Sequence, residues 1–145
     1  MKKILFFLAM ASFAFGVECG SGDECLIKAM DLGESNEKLS DEYIIKACEL
    51  KNLDACAMLI VDDTAPKEKR EKLYNILKDG CFGTAPNMMF ACFMAATYSL
   101  EINDETTFKK LFEKFCQIPM TDMQRKIMIK ADFMKDYEES CVGYK

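Results

Sequence analysis

Eight cysteines, all between Cys19 and Cys141, constrain this 145-residue chain more than any other feature. Read by their place on helical patterns, they fall into two series. Cys25, Cys56 and Cys92 each open an apolar-periodic stretch and are separated by 31 and 36 residues. Cys48, Cys81 and Cys116 each close one and are separated by 33 and 35 residues. A period of roughly 34 that carries two helices is the signature of stacked helical hairpins, and no alternating strand pattern competes with it. The clearest junction is Lys46-Ala47-Cys48-Glu49-Leu50-Lys51-Asn52-Leu53-Asp54-Ala55-Cys56-Ala57-Met58-Leu59. Tyr43-Ile44-Ile45 ends one amphipathic helix before it, and Cys56 to Val61 opens the next, so a Cys48–Cys56 bridge staples the two across a short polar turn. Cys81 and Cys92 frame a second junction with a longer loop.

Boundary residues agree with this division. Ser40 before Asp41 and Glu42 reads as an N-cap, Pro66 and Pro86 suit first helical positions, and Thr121 with Gln124 reads as a capping box. Gly33 and Gly80 stand where helices should stop. The expected helices span about 23–33, 39–50, 53–62, 66–79, 86–100, 104–116 and 121–137, with ends uncertain by roughly two to four residues. The expected architecture is all-α, a disulfide-stapled α/α solenoid of about three hairpins plus a terminal helix. Four and five positions before each closing cysteine stand Ile44 and Tyr43, Leu77 and Ile76, and Phe112 and Leu111, a stripe that faces a neighbouring helix while Lys46, Lys78, Lys110 and Lys114 stay in water.

Residues 1–16 read as a signal peptide: Lys2 and Lys3 precede an apolar run from Ile4 to Phe15, and Ala14 and Gly16 supply small residues for cleavage before Val17. The run is shorter than the roughly 20 residues that span a bilayer, so residues 17–145 are expected as an exported helical-repeat domain, periplasmic or secreted, with no membrane insertion after cleavage. An exported chain should hold its cysteines as disulfides. Zinc sites prefer two to four residues between paired ligands, whereas the gaps here are five, seven and ten. Sequential pairing is expected: Cys19 with Cys25, Cys48 with Cys56, Cys81 with Cys92, Cys116 with Cys141. Only the two middle pairs close short helix–helix turns, so spacing leaves the partners of Cys19, Cys25, Cys116 and Cys141 open. A straight helix from 121 to 137 would travel about 25 Å from Cys116, so Cys141 must return or that helix must break.

The chain carries a formal charge of −5, and loss of Lys2 and Lys3 takes it to −7, which argues against nucleic acid as a partner. It contains no histidine, which removes imidazole-based catalysis and the commonest metal ligand.

The stretch from Tyr43 to Leu59 resembles the hairpin junction of Sel-one-like repeats, relatives of tetratricopeptide repeats, in the cysteine-rich exported bacterial branch where a disulfide closes each junction. The resemblance implies a right-handed α-solenoid whose concave face binds proteins, peptides or cell-wall material. It also brings a penicillin-binding or β-lactamase label that some relatives carry. Family helices that open a repeat carry Leu-Gly and then Tyr; here Leu59-Ile60 lacks the Gly, and Ala95-Ala96 with Tyr98 only approximates the pattern.

The candidate chemistry is sparse. Ser35-Asn36-Glu37-Lys38 has the Ser-x-x-Lys spacing of penicillin-recognising serine enzymes, but Ser-Asp-Asn and Lys-Thr-Gly partners are missing. Six serines and seventeen lysines give roughly 0.7 such matches by chance. Met88, Met89, Met120, Met123, Met128 and Met134 could hold Cu(I), yet they suit core or contact surface better because they form no single stripe. Asp62-Asp63 and Glu138-Glu139 point apart on a helix, and the mixed run Lys67 to Lys72 is an exposed face. Tyr43, Tyr74 and Tyr98 are the candidate binding residues, as groove contacts or as packing between hairpins. No catalytic residue, cofactor or metal is assigned. The expected function is a non-enzymatic interaction module for a protein, peptide or cell-wall ligand, with a β-lactamase-type protein and a periplasmic inhibitor or immunity protein as the alternatives.

Overall fold

A computed structural model describes residues 17–84, 88–130 and 132–144. The expected signal peptide and Pro86 lie outside these residues. The described residues form eight α-helices: α1 Gly22–Leu32, α2 Glu37–Glu49, α3 Leu53–Ile60, α4 Lys67–Cys81, α5 Met88–Glu101, α6 Glu105–Gln117, α7 Asp122–Lys130 and α8 Met134–Ser140. Short 3-10 turns cover Gly33–Asn36 and Val142–Tyr144. The chain is all-α, its helices pack in sequential hairpin-like pairs, and it divides after Leu59 into two compact units.

All four expected disulfides are present, with Cα–Cα distances of 5.4 Å for Cys19–Cys25, 4.7 Å for Cys48–Cys56, 4.7 Å for Cys81–Cys92 and 5.4 Å for Cys116–Cys141. The two ladders fall where the spacing put them. Cys25, Cys56 and Cys92 stand four or five residues into α1, α3 and α5, and Cys48, Cys81 and Cys116 stand at or next to the last residue of α2, α4 and α6.

Three helix ends use one device. Asn52 N–H donates to Ala47 O at 3.0 Å while Lys51 N–H donates to Cys48 O at 2.9 Å, with Lys51 at φ 68°. The same pair of bonds runs from Asp104 to Ser99 and from Asn103 to Leu100, and again from Phe133 to Met128 and from Asp132 to Ile129. Asn103 stands at φ 60° and Asp132 at φ 61°. These are Schellman stops in which Lys, Asn and Asp occupy the left-handed position that glycine usually takes. At the first two, the next residue also starts the following helix: Asn52 Oδ1 accepts from Ala55 N–H at 2.8 Å, and Asp104 Oδ1 accepts from Thr107 N–H at 3.0 Å. Three-residue connections result, and the second folds α6 back on α5.

The third stop corrects the expected helix from 121 to 137. It breaks at Asp132, α8 turns back, and Cys141 reaches Cys116. The capping box forms as expected, Gln124 N–H donating to Thr121 Oγ1 at 3.2 Å and Thr121 N–H to Gln124 Oε1 at 2.9 Å. Ser40 is not an N-cap. Helix α2 starts earlier under Asn36, whose Oδ1 accepts from Leu39 N–H, and the Ser40 hydroxyl instead donates to Ala29 O at 2.9 Å, tying α2 to α1. Pro66 is the N-cap of α4 rather than its first helical residue, and α4 runs through Gly80 to Cys81.

In the first unit, α1 approaches the α2–α3 turn closely. A Cβ on Gly22 would lie 2.8 Å from Asn52 Cβ, so only glycine permits this contact. Asn52 Nδ2 donates to Asp23 Oδ1 across it at 2.6 Å. Beside them Asp54 has one buried carboxylate oxygen with no hydrogen-bond partner. Burial first, and then the Asp23 carboxylate, raise the Asp54 pKa above its ordinary value. A carboxyl whose folded pKa lies above its unfolded value holds its proton more tightly when folded, so stability falls as pH rises through the folded pKa. Asp54→Asn is therefore expected to stabilise the first unit at pH 7 by about 1 kcal/mol, the low end of the penalty for an unsatisfied buried polar group. Urea titrations across pH 3–7 check this: the gain must shrink towards pH 3, and a pH-independent difference would refute the assignment.

In the second unit, α5 carries Ala91, Ala95 and Ala96 at its buried surface, small residues that let α4 and α6 approach it. Leu77 of α4 and Leu111 of α6 are fully buried. Tyr74 and Tyr98 meet with ring centroids 5.1 Å apart, and the Tyr74 hydroxyl lies 2.9 Å from Ser99 Oγ, which donates to Ala95 O at 3.0 Å. Since Ser99 donates to Ala95, the Tyr74 hydroxyl is the donor between the two. Ser99→Ala leaves that hydroxyl unpaired and is expected to cost about 1–3 kcal/mol, whereas Tyr74→Phe leaves the Ser99 bond to Ala95 intact and costs about 1 kcal/mol. Chemical denaturation of the two variants checks the order; equal losses would mean that another group satisfies Tyr74.

Candidate functional site

The second unit holds an apolar cleft of about 350 Å³ walled by four helices. Helix α5 contributes Met89, Phe90 and Phe93, α6 contributes Phe112 and Phe115, and α7 contributes Met128. The remaining wall is Phe133, Asp136, Tyr137 and Ser140, spaced so that one face of α8 and its N-cap turns inward. The rings form a connected set. Phe115 stands 5.4 Å from Phe93, 5.7 Å from Phe112 and 5.3 Å from Tyr137, the last edge to face, and Tyr144 meets Phe112 edge to face at 5.6 Å. Offset and edge-to-face pairs are the favoured aromatic geometries, so this floor is self-supporting. Cys116–Cys141 ties the end of α8 to the end of α6 and holds that wall in place.

The floor and the rim differ. Phe115 is 5% exposed and Met89 is buried, but Phe93 is 43% and Phe133 58% exposed. Two large rings at a cleft mouth leave apolar area in water that a ligand could cover. Among the described residues Asp136 is the single charged one in the lining. Burial raises the Tyr137 pKa above its ordinary value, so that phenol stays neutral at physiological pH.

No protein-family model, curated protein or solved structure matches this chain. No helix among the described residues is long and apolar enough to cross a membrane, and four disulfides suit an oxidising, extracytoplasmic compartment.

The residues singled out in the sequence fall elsewhere. Tyr74 and Tyr98 are 7% and 4% exposed and meet ring against ring. They pack where α4 meets α5. Tyr43 is half-buried in the first unit with the Lys28 ammonium 6.0 Å from its ring centre. The tetrad Ser35 to Lys38 spans the 3-10 turn and the start of α2 rather than an open loop, and the Ser35 hydroxyl donates to Leu32 O at the end of α1. That bond gives Ser35 a turn-closing role. Asp62 does the same before α4, accepting from Thr64 N–H at 3.0 Å, and these Thr64 bonds lower its pKa. Met89 and Met128 line the aromatic cleft, while Met120 and Met134 line a neighbouring cavity of about 500 Å³ that shares Tyr137. The Met123 side chain lies outside the described residues.

A groove of about 370 Å³ beside α4 and α5 contains Arg70, but that guanidinium is already held by the protein. It donates to both Glu101 oxygens at 2.5 and 2.8 Å, its Nε donates to Ile60 O at 3.3 Å, and its carbon lies 4.9 Å from the Tyr98 ring centre. A bidentate, ring-stacked arginine is a structural clamp here. The aromatic cleft was missed in the sequence because Phe93, Phe112 and Phe115 have the spacing of an ordinary core stripe. The remaining signal was the density of phenylalanine, seven between Phe82 and Phe133, in the half that also carries the widest cysteine spacing.

Proposed function

We propose that the chain is an exported interaction module of the Sel-one-like, tetratricopeptide-related kind, acting in the periplasm or outside the cell, that binds a protein, peptide or cell-wall ligand through the aromatic cleft of its second unit. The observation that carries this reading is the pair of exposed rings, Phe93 and Phe133, over a cleft whose floor is already packed. A site on short, stapled helices is pre-organised, so little ordering opposes binding. The Ser35 hydroxyl, held by Leu32, lends nothing to a serine-hydrolase mechanism.

The test is titration of the disulfide-bonded protein with N-phenyl-1-naphthylamine, an uncharged apolar dye. Saturable binding is expected, weakened about tenfold by Phe93→Asp or Phe133→Asp, as loss of a half-buried ring contact would give. Phe133→Asp should unfold like the parent because its ring is mostly in water. Non-saturable fluorescence, or binding indifferent to both substitutions, would remove the cleft as the site.

A further inference from the structure

The described lining of the cleft is mostly apolar, and beside the Tyr137 and Ser140 hydroxyls it carries one charged group, the Asp136 carboxylate. Asp136 stands one helical turn beyond Phe133 on the same face of α8. Asp132 stands four residues before Asp136, whereas Glu138 lines the neighbouring cavity and Glu139 is paired to Lys135 at 3.7 Å. The lysines of the opposite wall do not offset this. Lys126 and Lys130 lie two residues either side of Met128, roughly 200° around α7 from the side chain that lines the cleft. Arg125 lines the neighbouring cavity instead. The mouth therefore presents exposed aromatic rings beside the Asp136 carboxylate. The volume is at the small end for ligand pockets, enough for one bulky side chain, while the exposed rings extend the contact beyond the cavity.

We infer that the occupant is a basic segment of a protein partner, which inserts one bulky apolar side chain between Phe93, Phe112 and Phe133 and sets a neighbouring lysine or arginine on Asp136. The inference rests on the reading of the cleft as a binding site. Charge complementarity selects the partner, and the rings supply the anchor.

The experiment is selection of phage-displayed random dodecapeptides on the full disulfide-bonded chain, with competition against N-phenyl-1-naphthylamine and repetition on Asp136→Lys. Recovered peptides should carry Phe, Leu, Met or Trp within two residues of Lys or Arg and should displace the dye. Their affinity should fall as salt rises, and Asp136→Lys should weaken them about tenfold and turn the preference towards acidic residues. Dye-displacing peptides with no basic preference, or unaffected by Asp136→Lys, would overturn the inference and leave the cleft as a binding site. Dye binding with no competing peptide would overturn it in favour of a small apolar molecule or lipid. A dimer abolished by Phe133→Asp would overturn it in favour of a second copy. Failure of dye and peptide alike would remove the underlying reading as well.

Discussion

Replacing Cys116 and Cys141 together with alanine is expected to destabilise the second unit by about 3.5 kcal/mol and to abolish dye binding at the aromatic cleft. The magnitude follows from the 25-residue separation, the largest of the four bridges, in the chain-entropy account of cross-linking. Alanine is preferred to serine because both cysteines are buried and a serine hydroxyl there would need a partner. The effect on binding has a separate cause. Helices α7 and α8 are short, nine and seven residues, and too short to persist without tertiary support. Apart from the bridge, that support in α8 comes mainly from Tyr137 against Phe115. Without the bridge the wall carrying Phe133 and Asp136 should detach before the rest of the unit unfolds. The control is Cys81→Ala with Cys92→Ala. It removes a bridge of separation 11, costs about 3 kcal/mol by the same account, and leaves the cleft walls tied. Guanidinium titration followed by circular dichroism, beside dye binding without denaturant, separates the two. Dye binding that survives in the Cys116/Cys141 variant would show that the rings alone hold α8.

The hairpin frame was legible because it is local. Cys48–Cys56 and Cys81–Cys92 each close a connection between consecutive helices, so the bridge and the helical pattern report the same event. Helix ends were less legible, and for a definite reason. At Lys51, Asn103 and Asp132 the chain takes the left-handed conformation without glycine, so the usual stop residue is missing and the third break was hidden inside an apparent single helix. Ser40 misled in the opposite direction. A serine followed by two acids has the composition of a cap, but its hydroxyl is used across the α1–α2 pair. The cleft was the least legible part. Which face of a phenylalanine-rich helix remains open depends on how α8 returns, and that return is set by a break and a bridge far apart in sequence.

Phe115→Ala is expected to cost about 3–5 kcal/mol, as large an effect as any single substitution in the second unit should produce. Phe115 is almost fully buried, and its ring meets Phe93 of α5, Tyr137 of α8 and Phe112 one turn earlier on its own helix. Deleting it leaves a void that those rings cannot readily fill together, since Cys116–Cys141 fixes the end of α8 against the end of α6. Because relaxation is restricted, the cavity contribution should be near its upper range. Phe133→Asp makes the opposite case. Its ring is mostly in water, so stability should change by less than about 0.5 kcal/mol while dye binding weakens. Denaturation and dye titration on both variants therefore distinguish a ring that builds the floor from a ring that meets the ligand. Phe115→Leu supplies the intermediate, because a partly filled floor should recover most of the stability and keep the cleft in place. If Phe133→Asp instead unfolds the unit as readily as Phe115→Ala, the exposed ring is part of the fold, and the mouth of the cleft lies elsewhere on the α8 face.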